Sequence, residues 1–255
     1  MGNKALPWRT ALPVLLLSCC ASCVAVKEDR SVCPCFLSVA VANPAPGQTV
    51  GLSFRSEGFE AFREVTADTV LVVPVPKQEV EVLALSGAAL PSGDGKLQIP
   101  LGFDSPPLYL FRERVDARAD TASVNVLLHK HFCRLSMHFD GPPGWGEPYW
   151  AEVRGRVDGI DLDGDPSAGA FSCRLDSGGS VRLPRQAPEE ELWLDVAMPD
   201  RVVRSFTLGT QMLNAGYDWT AADLEDLDLL LDFSVTTLTL RIGDFTGVIP
   251  LQVDI

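Results

Sequence analysis

The fold class this sequence predicts is all-β, of the sandwich type, and three observations carry it. Short β-branched runs recur along most of the chain. Gly, Pro, Asn and Asp punctuate them at intervals typical of packed antiparallel sheets. No succession of βαβ units is present, which argues against a parallel nucleotide-binding sheet.

The chain opens on a leader. Lys4 and Arg9 give a positive start, and Thr10 to Ala21 is mostly apolar and free of charge. About a dozen such residues are too few to cross roughly 30 Å of hydrocarbon as a helix, and they match the apolar region of a secretory signal peptide instead. A small residue immediately before a cysteine resembles a bacterial lipobox, in which that cysteine is acylated and becomes the mature N-terminus. Cys23 follows Cys20-Ala21-Ser22 and leaves the longer apolar region. Cys19 has a suitable aliphatic residue three positions back but bulky Leu17 two back, and Cys20 has Cys19 before it. Cys23 is therefore the expected lipidation site, with Cys19 and Cys20 as alternatives and a conventional cut to a soluble secreted chain as the contrasting outcome. Residues 1–22 read as a lipoprotein signal peptide and 23–35 as a lipidated tether. At about 0.8 kcal/mol per buried methylene, two or three acyl chains hold a protein on a membrane where one does not.

Strands follow in order. Phe36 to Val41, Val50 to Phe54, Thr69 to Val73, Val80 to Leu85 and Lys96 to Ile99 form a first group. The turn Asp104-Ser105-Pro106-Pro107 and the charged segment Arg112 to Asp120 are expected to end it. A long β-like run from Ser123 to Phe139 opens a second group, continued by Ala151 to Val157, Leu192 to Val196, Val202 to Leu208, Leu227 to Phe233, Leu238 to Ile242 and Val248 to Ile255. In the last run Ile249, Leu251, Val253 and Ile255 alternate with Pro250, Gln252 and Asp254, the period of two that a half-buried strand needs. Only Thr220 to Asp226 reads as helical, one or two turns with Thr220 as the cap. These groups predict one β-domain over 36–125 and another over 126–255.

Composition narrows the function. The formal charge is −13, and removing the leader takes away two basic residues and no acid. Such a chain is a poor partner for nucleic acid, which requires clustered Lys and Arg. Nothing after residue 23 is long and apolar enough to span a bilayer.

Four cysteines remain in the body: Cys33, Cys35, Cys133 and Cys173. They allow three pairings; a disulfide fits an oxidising compartment, and buried free thiols fit the residues as well. The single-residue spacing of Cys33-Pro34-Cys35 is wrong for a Cys-x-x-Cys redox or zinc site. His129, His131 and Cys133 would share one face of an unbroken strand. That row continues into Leu135, Met137 and Phe139, which favours core over metal. Asp161-Leu162-Asp163-Gly164-Asp165 lacks the twelve-residue calcium pattern and reads as an Asp-Gly turn. Trp145, Tyr149 and Trp150 lie in a Gly- and Pro-rich stretch, where they either cover one end of a sandwich or dock a partner. No Gly-x-Ser-x-Gly elbow, phosphate loop or His-Glu-x-x-His is present. The expectation is a non-enzymatic protein without cofactor, metal or small-molecule substrate.

The run Lys27-Glu28-Asp29-Arg30-Ser31-Val32-Cys33-Pro34-Cys35, just after Cys23, resembles the start of the FimB/Mfa-type fimbrial anchor family of Bacteroidales. The strand Leu128 to Leu135, the turn Gly159 to Gly164 and the ending Val248 to Ile255 resemble that family in the same order. Lys27-Glu28-Asp29 also resembles the basic-then-acidic signal that routes lipoproteins of this phylum to the surface. The resemblance implies two transthyretin-like Greek-key sandwiches in an outer-membrane lipoprotein that tethers a fimbria and limits its length. It implies fimbrial pilin subunits as partners, joined by β-strand addition. The C-terminal strand, with Val248, Ile249, Leu251, Val253 and Ile255, is the expected partner strand. It either pairs with the pilin or stays in its own domain. The contrasting readings are a surface lipoprotein that binds glycan or host protein through the Trp145–Trp150 loop, and an accessory or tip subunit.

Overall fold

Inward-facing aliphatic residues at every second position build two sandwiches in succession. A computed structural model describes residue 30 and residues 32–42, 48–66, 68–88, 95–140, 150–176, 178–198, 201–232, 237–242 and 245–250. Pro34–Ile255 forms one unit. Its fold is all-β with two transthyretin-like sandwiches, as expected.

The first sandwich packs a three-stranded sheet on a five-stranded one. The small sheet runs β4 (Thr69–Val75), β1 (Cys35–Ala42), β8 (Thr121–Leu127); β1 is antiparallel to β4 and parallel to β8. The large sheet runs β3 (Phe59–Thr66), β2 (Thr49–Ser56), β5 (Glu79–Ser86), β7 (Tyr109–Asp116), β9 (His129–Lys130). Leu37, Val39 and Val41 of β1 meet Leu52, Phe54, Val80 and Val82 in a sealed core. Burial at roughly 25 cal/mol per Å² of apolar surface makes this alternation the main driving force.

The second sandwich sets β13 (Ser180–Pro184), β10 (Phe132–Asp140), β16 (Leu227–Asp232), β17 (Thr237–Ile242), β18 (Phe245–Pro250) against β12 (Pro166–Asp176), β11 (Trp150–Asp161), β14 (Leu192–Met198), β15 (Arg201–Phe206). Leu135, Met137, Val153, Phe171, Leu194 and Leu229 lie in its core. One helix, α1 (Leu208–Asn214), buries Leu208 and Met212 against it. It ends in a Schellman motif: Tyr217 N–H donates to Met212 O, Gly216 N–H donates to Leu213 O, and Gly216 supplies the left-handed φ of 86°.

Several local expectations are corrected. The charged segment Arg112–Asp120 is no divider; its first half is β7, a strand of the first large sheet. The Asp104–Pro107 turn docks on the second sandwich, where Ser105 N–H donates to Arg182 O and Arg182 pairs with Asp104 at 2.8 Å. Just before it, β6 (Lys96–Gln98) adds to β11, so the chain visits the second sandwich and returns. The run Ser123–Phe139 is three strands, β8, β9 and β10, broken at Leu128 and His131. The expected strand Val202–Leu208 stops at Phe206, and its last residue opens α1. Thr220–Asp226 is not helical: a turn at Thr220 and bends over 221–223 lead into irregular backbone up to β16. The physical reason lies in a buried arginine described below.

Candidate functional site: a stitched junction and an open sheet edge

Two of the sequence motifs converge where the sandwiches meet. His131 is the crossing point of the chain. Its N–H donates to Leu108 O, and its carbonyl accepts from the Arg185 N–H. The His131 ring stands against Gly164, where a Cβ would lie 2.5 Å from the imidazole Cε1. Gly164 therefore does two things in the Asp161–Asp165 turn: it takes a φ of 87° and leaves room for the ring. The turn itself forms as expected. Asp161 Oδ1 accepts from the N–H groups of Asp163 and Asp165, and Asp161 N–H donates to Asp165 O. At the other end of the motif, Gly159 lets β6 cross, since a Cβ there would sit 1.9 Å from Leu97 O.

Arg185 is the main polar element of the junction. Its side chain is in a residue only 7 % exposed. Nη1 donates to Trp219 O and to Ala221 O at 2.8 Å, Nη2 to Ala222 O at 3.1 Å, and Nε to His131 Nδ1 at 3.2 Å. Burial lowers the Arg185 pKa from its ordinary value, with Asp165, Asp218 and Asp223 opposing at longer range. No carboxylate among the described residues forms an ion pair with it. Two of these carbonyls, those of Ala221 and Ala222, are acceptors that a helix capped at Thr220 would use; the guanidinium takes them instead, and the stretch runs as turns and bends. Thr220 is not a cap here: its N–H and Oγ1 both donate to Asp218 Oδ1, so the accepting side chain is that of Asp218.

Because Arg185 Nε donates to it, His131 Nδ1 carries no proton. Burial first, then the neighbouring guanidinium, pull the His131 pKa down to about 4. The same loop is pinned from the other side. Lys130 N–H donates to Asp223 Oδ1 at 2.7 Å, Lys130 Nζ to Asp226 Oδ1 at 2.6 Å, Arg134 N–H to Asp226 Oδ1 at 2.8 Å and Leu224 N–H to Lys130 O at 3.2 Å. Burial raises the Asp223 pKa, but the Lys130 N–H and then His129 outweigh it and hold the carboxyl below its ordinary range. A cleft of about 440 Å³ opens beside His131, Arg185 and Trp219. Below it an apolar cluster of Leu83, Leu85, Leu108, Leu110, Ile160 and Leu162 joins the sandwiches. Arg112 bridges Glu81 at 2.7 Å and also pairs with Asp163.

The His129, His131, Cys133 row is not one strand face. His129 is half-buried beside Asp223, His131 points at Gly164 and Arg185, and Cys133 lies in the second core. Cys33, Cys35, Cys133 and Cys173 are free thiols. Burial pushes the Cys133 and Cys173 thiols up to about 12, so neither is a ready nucleophile. Trp150 begins β11 and stacks on the Arg174 guanidinium at 4.5 Å; Trp145 and Tyr149 lie outside the described residues. So do Cys19, Cys20 and Cys23.

Of the expected partner strand, Val248 and Ile249 belong to β18, while Leu251, Val253 and Ile255 lie outside the described residues. Val248 pairs with Thr239 and Ile249 with Leu238, antiparallel. Among the described strands β18 is an edge, with β17 as its neighbour. Pro250, which has no N–H to offer a ladder, ends it opposite Thr237. Sequence reasoning missed Arg185 altogether. A lone arginine after a strand carries no local signal, because its partners are 34 to 54 residues away.

The arrangement defines a protein class by architecture: two transthyretin-like sandwiches in series, joined through the His131 crossing and an apolar cluster, with β18 as an edge among the described strands. Solved structures share the fold at low sequence identity. One is a candidate adhesin of Bacteroides ovatus, 11% identical, with a TM-score of 0.62 over 85% of this chain and 95% of that one. Another is a candidate polysaccharide-binding protein of Bacteroides thetaiotaomicron, 15% identical, with a TM-score of 0.61 over 84% and 98%. A third is the fimbrial anchor protein Mfa2 of Porphyromonas gingivalis, 12% identical, with a TM-score of 0.60 over 84% and 99%. No family model matches the sequence, and no curated protein matches it.

Proposed function

We propose that this chain is a fimbrial anchor: an outer-membrane lipoprotein, acylated at Cys23, that tethers a fimbria to the cell surface and limits its length. The observation that carries the reading is β18. Among the described residues it is an edge strand, late in the sequence of a fold that the anchor protein Mfa2 also has. An open edge presents a row of backbone N–H and C=O groups, the chemistry by which an extended segment is recognised. The resemblance from Cys23 to Cys35 supplies the membrane end of the same reading. Cys23 keeps the base in the membrane, and the strand from Val248 to Ile255 pairs with the adjoining pilin. The stitched junction suits a tether, because a pull at one sandwich reaches the other through buried contacts.

The strand is tested by disulfide trapping. A Val248→Cys chain in cells should crosslink to a pilin carrying single cysteines along its facing strand, in a pattern that alternates with the period of two. Deleting Val248 to Ile255 should release fimbriae into the medium, whereas deleting Asp254 and Ile255 alone should change little. Fimbriae retained at normal length after the full deletion would count against strand addition at this edge and favour a glycan or host-protein binder.

A further inference from the structure

One sheet face differs from all the others. The outward positions of the three-stranded sheet, four on β1, three on β4 and four on β8, include no charged residue. Every other sheet shows outward charges, such as Arg55, Arg154 and Arg134. Phe36, Val70, Val72 and Leu127 stand on this face and are 51%, 70%, 60% and 58% exposed. The register spreads them over one face with small or uncharged neighbours between: Phe36 is opposite Pro74, Val72 opposite Ser38, Val70 opposite Ala40, and Leu127 opposite Ala42. At the end where β1 begins, Lys77 and Asp120 pair with each other at 2.6 Å, so that rim is neutral too. Ser38, Thr121, Ser123 and Asn125 are its polar, uncharged members; on a chain of formal charge −13, an exposed uncharged face of this size points to a contact.

We propose that this face rests on the lipid bilayer to which the chain is tethered. The inference builds on the anchor reading, since it takes the acyl group to be at Cys23. Three considerations choose a bilayer over a protein. First, β1 is the strand the tether enters, and the chain from Cys23 to Phe36 reaches at most about 45 Å when fully extended. The face is therefore confined near the membrane at high effective concentration, and a weak contact is enough to hold it. Second, strand and row spacings give the face roughly 400 Å², about half of what each partner of a stable protein pair buries. A second copy or a soluble partner would not be held by it alone. Third, an acidic protein is repelled by anionic headgroups everywhere except where it carries no acid. Phe, Val and Leu side chains enter the boundary between headgroups and acyl chains without desolvating a charge. The consequence is orientation: the small sheet lies on the membrane and the large sheet of the first sandwich faces away from it.

The test uses the lipidated full chain in vesicles of phosphatidylethanolamine and phosphatidylglycerol that contain a phospholipid with a photoactivatable acyl chain. After illumination, lipid adducts are mapped by peptide mass. Adducts should concentrate on 35–42, 69–75 and 121–127, while the strand Phe59–Thr66 of the opposite sheet, which exposes Phe62, should remain unlabelled. Val70→Asp with Val72→Asp should reduce labelling of the face to that of Phe59–Thr66 while the protein stays on the vesicles with an unchanged melting curve. Uniform labelling, or labelling centred elsewhere on a vesicle-bound chain, overturns the inference and leaves the anchor reading intact. Crosslinks between two copies through this face, without lipid adducts, overturn it in favour of a second copy. A chain that lacks an acylated Cys23 peptide and does not hold to vesicles overturns both.

Discussion

Arg185→Ala is the substitution that tests most sharply what holds the 219–222 loop against the His131 crossing. The guanidinium holds three backbone carbonyls, of Trp219, Ala221 and Ala222, together with the His131 ring. Taking about 1 kcal/mol for each carbonyl bond, which discounts the charge assistance because two of the three are only partly buried, the loss comes to about 3 kcal/mol. For a domain pair of this size that corresponds to a fall in Tm of about 6–12 °C. Urea unfolding followed by circular dichroism measures it, with the slope unchanged and the midpoint lowered. Arg185→Lys keeps the charge but not the planar fork, so it should recover less than half of the loss. Hydrogen exchange supplies the local readout: the Leu224 N–H, bonded to Lys130 O, should lose protection before the core strands do. A loss below about 1 kcal/mol, no larger than for an exposed arginine, would refute the reasoning, as would full recovery by lysine.

Other perturbations follow from the same geometry. His131 stays neutral in the folded state down to about pH 4, whereas in the unfolded chain it binds a proton near pH 6.5. Between those values the unfolded chain holds more protons, so stability is complete above pH 6.5 and falls by about 3 kcal/mol as the pH drops to 4; His131→Gln should flatten that part of a stability-against-pH curve. Gly164→Ala forces a Cβ into the His131 ring at a φ of 87° and should cost about 2 kcal/mol in urea unfolding. Ile160→Ala, which empties part of the apolar cluster between the sandwiches, should cost about 3 kcal/mol. Arg112→Ala, which breaks partly exposed ion pairs to Glu81 and Asp163, should cost less than about 1 kcal/mol. Equal costs for these last two would mean that charge rather than apolar packing joins the sandwiches.

The parts of this fold that were legible in sequence are those with a local cause. β1, β2, β5 and β14 alternate or carry β-branched runs, and each was read within a residue or two of its bounds. The Asp161–Asp165 turn was equally plain, because Asp161 makes its own hydrogen bonds. β7 was misread because Arg112, Glu113 and Arg114 sit together on a strand whose outer face pairs with acids of β5. β3 went unseen because it is an edge strand with little burial on either side. The excursion through β6 has no local mark except glycines. Gly87 leaves no room for a Cβ beside Pro107 O, at the point where the chain departs and returns. The candidate site divides the same way. Gly159 and Gly164 were visible as a motif, but their purpose, to admit β6 and the His131 ring, appears only with the partners in place. The turns over 220–226 depend on Arg185, which sits in another part of the sequence. The uncharged face of β4, β1 and β8 was present in the alternation of three separate segments and becomes a feature only when pairing sets them side by side.

The most direct test of the anchor account is the fate of protein and fimbriae in cells that carry Cys23→Ala, compared between cell surface and culture medium. The account predicts that the protein leaves the membrane and that long fimbriae appear in the medium with it. A protein that is released while fimbriae stay attached at normal length contradicts it.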